Sequence, residues 1–164
     1  MTDLSNGGAV PGAETRKQVV INAQYVKDLS FENPRAPQSL LQQQQPDANP
    51  ELRLSVDVKG ATLAPEVYEV VLNIKAETVL NGDVIFVAEL AYGAVVSLVN
   101  TPQEEIPQAL MVETPRQLFP FVRNILAEVT RDGGFQPLLI NPIDFAEVYR
   151  RRIAEQQGTD PANA

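Results

Sequence analysis

The sequence predicts an α+β fold: one domain over residues 19–157 in which an antiparallel sheet is covered on one face by helices from the C-terminal third. Three observations carry this. Apolar and polar side chains alternate in four stretches before residue 100, and helical spacing takes over after it, so the strands come first and the helices last. Asn81-Gly82 lies between two of the alternating stretches, and both central positions of a tight hairpin need positive φ. Asp132-Gly133-Gly134 and Asn141-Pro142 then punctuate two helical stretches as a stop and a start.

Residues 1–18, rich in Gly, Asn, Ala and Thr, are expected to form a flexible tail. From Val19 the pattern is extended to Asp28, with Ile21, Ala23 and Tyr25 expected on one face and Val20 and Val26 on the other. Residues 29–34 are expected to leave the strand, since Pro34 and Pro37 forbid continued pairing. Residues 38–50 hold the Gln42–Gln45 run between prolines and read as a long loop, of a length that is usually functional or disordered. Leu52, Leu54, Val56 and Val58 alternate with Arg53, Ser55, Asp57 and Lys59 in a half-buried strand. Tyr68, Val70, Leu72, Ile74 and Ala76 form the next, with Glu69, Asn73, Lys75 and Glu77 outward. After the turn, Val84, Phe86, Ala88 and Leu90 are set against Ile85, Val87, Glu89 and Ala91. The apolar residues 94–99 either continue that strand or pack beneath a neighbour.

The first helix is expected to open at Thr114-Pro115-Arg116-Gln117, with Thr114 as N-cap and Pro115 at the first helical position. Leu118, Val122, Ile125, Leu126 and Val129 recur at helical spacing, joined by Phe119 and Phe121. At about 100° per residue they sweep an arc of roughly 160°, wider than the ~100° that one sheet-facing seam needs. The excess predicts a second contact surface, such as another subunit. Pro120 predicts a kink, or a helix that starts near it. Asn141-Pro142 is expected to cap the second helix, with Phe145, Val148, Tyr149 and Ile153 on one face and Arg150-Arg151-Arg152 toward its C-terminal end. Residues 158–164 are expected to fray into a flexible tail.

Composition excludes most chemistry. The chain of 164 residues has no histidine and no cysteine, which removes imidazole-based catalysis, thiolate nucleophiles, disulfides and the common zinc sites together. A formal charge of −8 argues against nucleic acid as a partner. No stretch approaches the ~20 apolar residues of a membrane span, and the N-terminus lacks a signal-peptide pattern, so a cytoplasmic protein without stable membrane insertion is expected. Gly7-Gly8 and Gly133-Gly134 lack the context of a phosphate loop. Glu104-Glu105, and Glu69 with Glu77 or Glu89, read as solvated carboxylates, and the three arginines as the cationic end of a helix. What stands out is apolar surface left for other chains, in the first helix and in the strand around Val84, Ile85, Phe86 and Val87.

Four stretches resemble one family. Tyr25-Val26-Lys27-Asp28-Leu29-Ser30-Phe31-Glu32-Asn33-Pro34 is similar to the Y-x-K-D-x-S-F-E-x-P opening of SecB, the bacterial protein-export chaperone. Val67-Tyr68-Glu69-Val70-Val71-Leu72 resembles that family's V-Y-E-V-V-L strand, Leu118-Phe119-Pro120-Phe121-Val122-Arg123 its L-F-P-Y-A-R helix, and Pro142-Ile143-Asp144-Phe145 its P-V-N-F. The resemblance implies a cytoplasmic homotetramer, a dimer of dimers, each subunit with a four-stranded antiparallel sheet and helices behind it. It further implies a holdase that binds unfolded precursor proteins without ATP, cofactor or metal and passes them to the motor SecA for export across the inner membrane. Asp28, Glu32, Val87 and Glu89 match the family's SecA-binding patch. The client groove would lie under residues 33–50, beside Leu52, Leu54 and Val56 and the second helix with Phe145 and Val148. The oligomer interface would use Ile21, Leu118, Val122, Ile125, Leu126 and Val129. Two departures stand out: the loop is Gln-rich with no aromatic residue, and Val96 stands where the family often has Phe. The competing readings are an enzyme using surface carboxylates, and a scaffold or assembly protein whose apolar faces are used up by its own oligomer.

Overall fold

The computed structural model describes residues 16–158. The two expected tails fall mostly outside that range, except that Gln18 already opens the first strand and Gly158 closes the last helix. Four antiparallel strands, β1 (Gln18–Glu32), β2 (Glu51–Ala64), β3 (Val67–Leu80) and β4 (Asp83–Val99), form one sheet in the order β1-β4-β3-β2. Two helices, α3 (Thr114–Asp132) and α4 (Phe145–Gly158), cover one face, and α1 (Gln38–Gln43) sits in the crossover from β1 to β2. Alternation explains the division of faces. Val70, Leu72 and Ile74 of β3 and Ala88, Leu90, Ala94 and Val96 of β4 point toward the helices and are almost fully buried. They meet Leu118, Val122 and Leu126 of α3 and Phe145 of α4, each large side chain contributing about 1.5–3 kcal/mol by burial. The opposite face of the sheet is left open.

The Asn81-Gly82 hairpin is as expected, with φ of 53° and 82° at the two residues. Residues 94–99 continue β4. Several expectations require correction. β1 does not end at Asp28 but runs to Glu32, because Pro34 lies beyond its last pair and Phe31 has a half-buried place beside Phe86 and Phe135, with centroids at 5.7 and 6.3 Å. Its faces also differ from a simple alternation. Asn22 and Lys27 have no register partner, and each marks a bulge that shifts the phase by one residue. Ile21, opposite Val96, therefore faces the helices while Tyr25, opposite Gly93, faces outward; Val20 and Val26 are likewise separated. A third irregularity skips Ile85, which turns inward beside Phe86 and is fully buried, leaving it unavailable to other chains. The residues 38–50 hold α1, not only loop; Ser39 is buried there and donates to Asn33 Oδ1 at 2.8 Å.

Thr114 is not an N-cap. The chain is already helical from a short turn α2 (Ile106–Gln108) through a wide π-type turn at Ala109–Glu113, and both the N–H and the hydroxyl of Thr114 donate to the Ala109 carbonyl. The wide turn precedes Pro115, which has no N–H with which to continue the ladder. α3 then runs through Pro120 rather than starting there. At its end Gly134 adopts φ 92°, Gly134 N–H bonds Arg131 O and Phe135 N–H bonds Thr130 O, a Schellman closure that Gly134 permits. α4 is capped by Asp144, whose Oδ1 accepts from Glu147 N–H at 3.1 Å, and not by Asn141.

Candidate functional site

Two surfaces lie on opposite faces of the sheet. On the open face, the second bulge of β1 brings Asp28, Ser30 and Glu32 outward, while Leu29 and Phe31 turn in. Register then sets Ser30 against Glu89 and Glu32 against Val87, so Asp28, Glu32, Val87 and Glu89 share one contiguous patch. Asp28 pairs with Ala91, whose small side chain leaves a depression of about 170 Å³ bounded by Asp28, Asp57, Lys75 and Glu89. Asp28 and Glu32 carry no ion pair among the described residues, whereas Lys75 Nζ lies 3.2 Å from Glu89 Oε1 across the β3–β4 register. Nearby, Tyr25 Oη donates to Glu69 Oε1 at 2.9 Å and Lys27 Nζ reaches the same oxygen at 2.5 Å. The hydrogen bonds from Lys27 and then Tyr25 hold the Glu69 carboxyl below its usual range. Burial, then the bond to Glu69, pushes the Tyr25 hydroxyl upward. Tyr25 lies over Gly93, where a side chain would collide with its ring. The Tyr-x-Lys spacing thus clamps β1 to its neighbours just before the acidic patch begins.

On the helix face, Leu54 and Val56 of β2 and Ile143 and Val148 beside and on α4 line a groove of about 470 Å³. Arg152 closes one end: its guanidinium donates to the Val58 carbonyl and lies 3.6 Å from Asp57 Oδ1. Leu52 belongs to a second hollow of about 340 Å³, floored by Phe86 and Phe135 under the crossover. Leu52 and Leu54 are 43% and 38% exposed. Phe145, expected in the client groove, is instead 1% exposed and packs edge-on against Phe119, so it belongs to the core and not to the groove. The aromatic floor comes instead from Phe86 and Phe135, two positions that no loop-based reading could find.

The expected oligomer residues also divide. Leu118, Val122 and Leu126 are fully buried against the chain's own sheet, so no partner can reach them; Ile21, Ile125 and Val129 are half-buried. Exposed apolar side chains lie elsewhere along the same border. Val26 and Leu29 on the free edge of β1, which the expected interface did not include, are 47% and 41% exposed, and Phe121, part of the apolar arc of α3, is 49% exposed. Val26 neighbours Tyr92 in register, and the Tyr92 ring lies nearly parallel to Phe121 with centroids 6.4 Å apart. The bulges hid this strip, because they decide which face Val26 and Leu29 occupy. Among the described residues no helix is long and apolar enough to cross a membrane, and no cluster of acidic side chains could hold a metal ion.

Comparison with known proteins agrees with the geometry. A family model described as preprotein translocase subunit SecB matches residues 12–156. Protein-export protein SecB of Paramagnetospirillum magneticum is 50% identical over 149 residues, covering 89% of this chain and 94% of the relative. Those of Rhodopseudomonas palustris and Maricaulis maris are 46% and 41% identical, covering 93% and 99% of this chain and 96% and 93% of theirs. A SecB-like chaperone of Mycobacterium tuberculosis, solved with a peptide from an antitoxin, is only 13% identical but shares the fold with a TM-score of 0.62 over 76% of this chain and 90% of its own. By its motifs, its sheet and its relatives, this chain belongs to the SecB family of protein-export chaperones.

Proposed function

We propose that the chain is an ATP-independent holdase of the cytoplasm that binds unfolded precursor proteins and delivers them to SecA for export across the inner membrane. The observation that carries this is the separation of the two surfaces. The two hollows face the helices, the acidic patch faces the other way, and one sheet lies between them. A client held at Leu52, Leu54, Val56 and Val148 leaves Asp28, Glu32, Val87 and Glu89 open to the motor. The hollow under the crossover is lined mainly by apolar side chains, the groove beside α4 mixes Leu54, Val56, Ile143 and Val148 with Asp57, Arg151, Arg152 and Glu155, and both border the unpaired edge of β2, so they suit extended segments over a broad range of sequence. The chain acts as a homotetramer, a dimer of dimers, associating through the β1 edge and α3, where Val26, Leu29, Phe121 and Ile125 leave apolar surface uncovered. Repetition of the acidic patch in such an assembly gives avidity for a motor with more than one docking segment.

The experiment separates the two surfaces. L54D is expected to weaken suppression of aggregation of a chemically unfolded precursor and to leave SecA binding, read by titration calorimetry, unchanged. D28N/E32Q is expected to do the reverse. If both variants impaired both activities equally, the division between client and motor surfaces would have to be abandoned.

A further inference from the structure

The four docking residues are not electrostatically equivalent. Asp28 and Glu32 on the edge strand carry no ion pair among the described residues, but Glu89 faces Lys75 directly across the register at 3.2 Å, with both side chains half exposed. Farther along the same face Glu77 is likewise held by Arg53 at 3.7 Å. A cation arriving at Asp28 or Glu32 finds a bare carboxylate. A cation arriving at Glu89 must first displace an ammonium that is already in place. We infer that Lys75 is an internal competitor for the docking segment at Glu89, and that it holds down what Glu89 contributes to the affinity of the patch. The inference rests on the reading of Asp28, Glu32, Val87 and Glu89 as the SecA-binding site.

The physical argument is one of differences. Binding at Glu89 exchanges one ion pair for another of similar kind, so its net contribution is small while Lys75 stays charged. Removing that charge lets the partner's cation gain the whole pair. An exposed pair of this type corresponds to a change in Kd of about two- to fivefold. The β1 carboxylates therefore anchor the partner, and Glu89 adds discrimination only when the partner's cation outcompetes Lys75.

The test is titration calorimetry of purified SecA with the intact protein and five variants: K75Q, E89Q, the double variants K75Q/E89Q and D28N/E32Q, and K59Q as a control. Lys59 lies on the same open face, opposite Val71, and has no ion pair among the described residues, so its loss changes the net charge of the face equally. K75Q is expected to tighten Kd about two- to fivefold, K59Q to leave it unchanged, and K75Q to have no effect in the E89Q background. Equal tightening by K75Q and K59Q would replace local competition with the general field of the face, and the inference would fall. Unchanged affinity in K75Q together with weakening in E89Q would also overturn it, with the docking site left standing. Wild-type affinity in both E89Q and D28N/E32Q would remove the docking site itself, and the inference with it.

Discussion

Gly93→Ala should destabilise the protein, although the same change in an ordinary strand stabilises by about 0.5–1 kcal/mol. An added Cβ at position 93 would sit 2.5 Å from Tyr25 Cε2, 2.6 Å from Cζ and 2.9 Å from the hydroxyl, all inside contact distance. The ring cannot yield by a small shift, because its hydroxyl is tied to Glu69 at 2.9 Å. Rotating it away forfeits a hydrogen bond to a charged group, about 1.5–3 kcal/mol, against which the usual gain from alanine is set. With Glu69 still partly in water the lower end applies, so the net loss is about 0.5–1 kcal/mol. For a chain of this size that lowers Tm by roughly 1–4 °C. Thermal and urea unfolding measure it, and the Tyr25→Ala background supplies the control. With the ring gone, Gly93→Ala should become neutral or stabilising. A variant at least as stable as the parent, or an equal loss in the Tyr25→Ala background, would refute the clash as its cause.

Three further outcomes are expected. Leu126→Ala, a cavity in the core, should cost about 2–5 kcal/mol of fold stability, while Phe121→Glu should leave the subunit folded and lower the mass seen by analytical ultracentrifugation; the opposite assignment would invert the two faces of α3. Arg152→Ala should raise amide exchange over α4 about tenfold or more by removing the charged bond to the Val58 carbonyl, and wild-type exchange there would show that the contact holds nothing. On acidification, Glu69 has a depressed folded pKa, so its stabilisation is complete above the ordinary value of 4.5 and is lost as pH falls through the depressed one. Tyr25, raised from 10.0, holds its contribution below that value and loses it as pH rises through the raised one. Urea midpoints in Glu69→Gln should therefore fall less steeply with acid than in the parent, and parallel curves would exclude the clamp as a contributor.

The sheet, its order of strands before helices and the Asn81-Gly82 hairpin were legible because each rests on a local rule: a period of two, a period of 3.6, or a turn that needs positive φ. The faces of β1 were not. A bulge leaves no compositional mark when its extra residue is as ordinary as Asn22 or Lys27, and every face assignment beyond it then shifts. Thr114-Pro115 had the composition of a helix start, but the chain before it was already helical, and tertiary burial of Leu110 and Val112 decided the matter. The wide apolar arc of α3 divides in the structure: Leu118, Val122 and Leu126 are buried against the sheet and Phe121 is exposed. Which side of the arc meets the sheet is not written in residue type, since Leu126 and Ile125 are chemically alike and differ only in where they point. The acidic patch was found through resemblance alone, and the Lys75 contact at its centre follows from register, which no single strand carries.

β1 spends 15 residues opposite 13 of β4, from Gln18↔Val99 to Glu32↔Val87. Each bulge is therefore one residue of slack. Deleting Asn22 or Lys27 removes a residue that has no partner, and every remaining pair keeps its face. Deleting Ala23 has the same effect on the faces, because Asn22 can slide into the vacated place opposite Val95. A deletion at the middle of β3, where the register is unbroken from Val67 to Thr78, has no such refuge and would exchange core and solvent along the strand beyond it. The edge strand that carries Asp28 and Glu32 can thus vary in length by a residue or two without its surfaces changing hands.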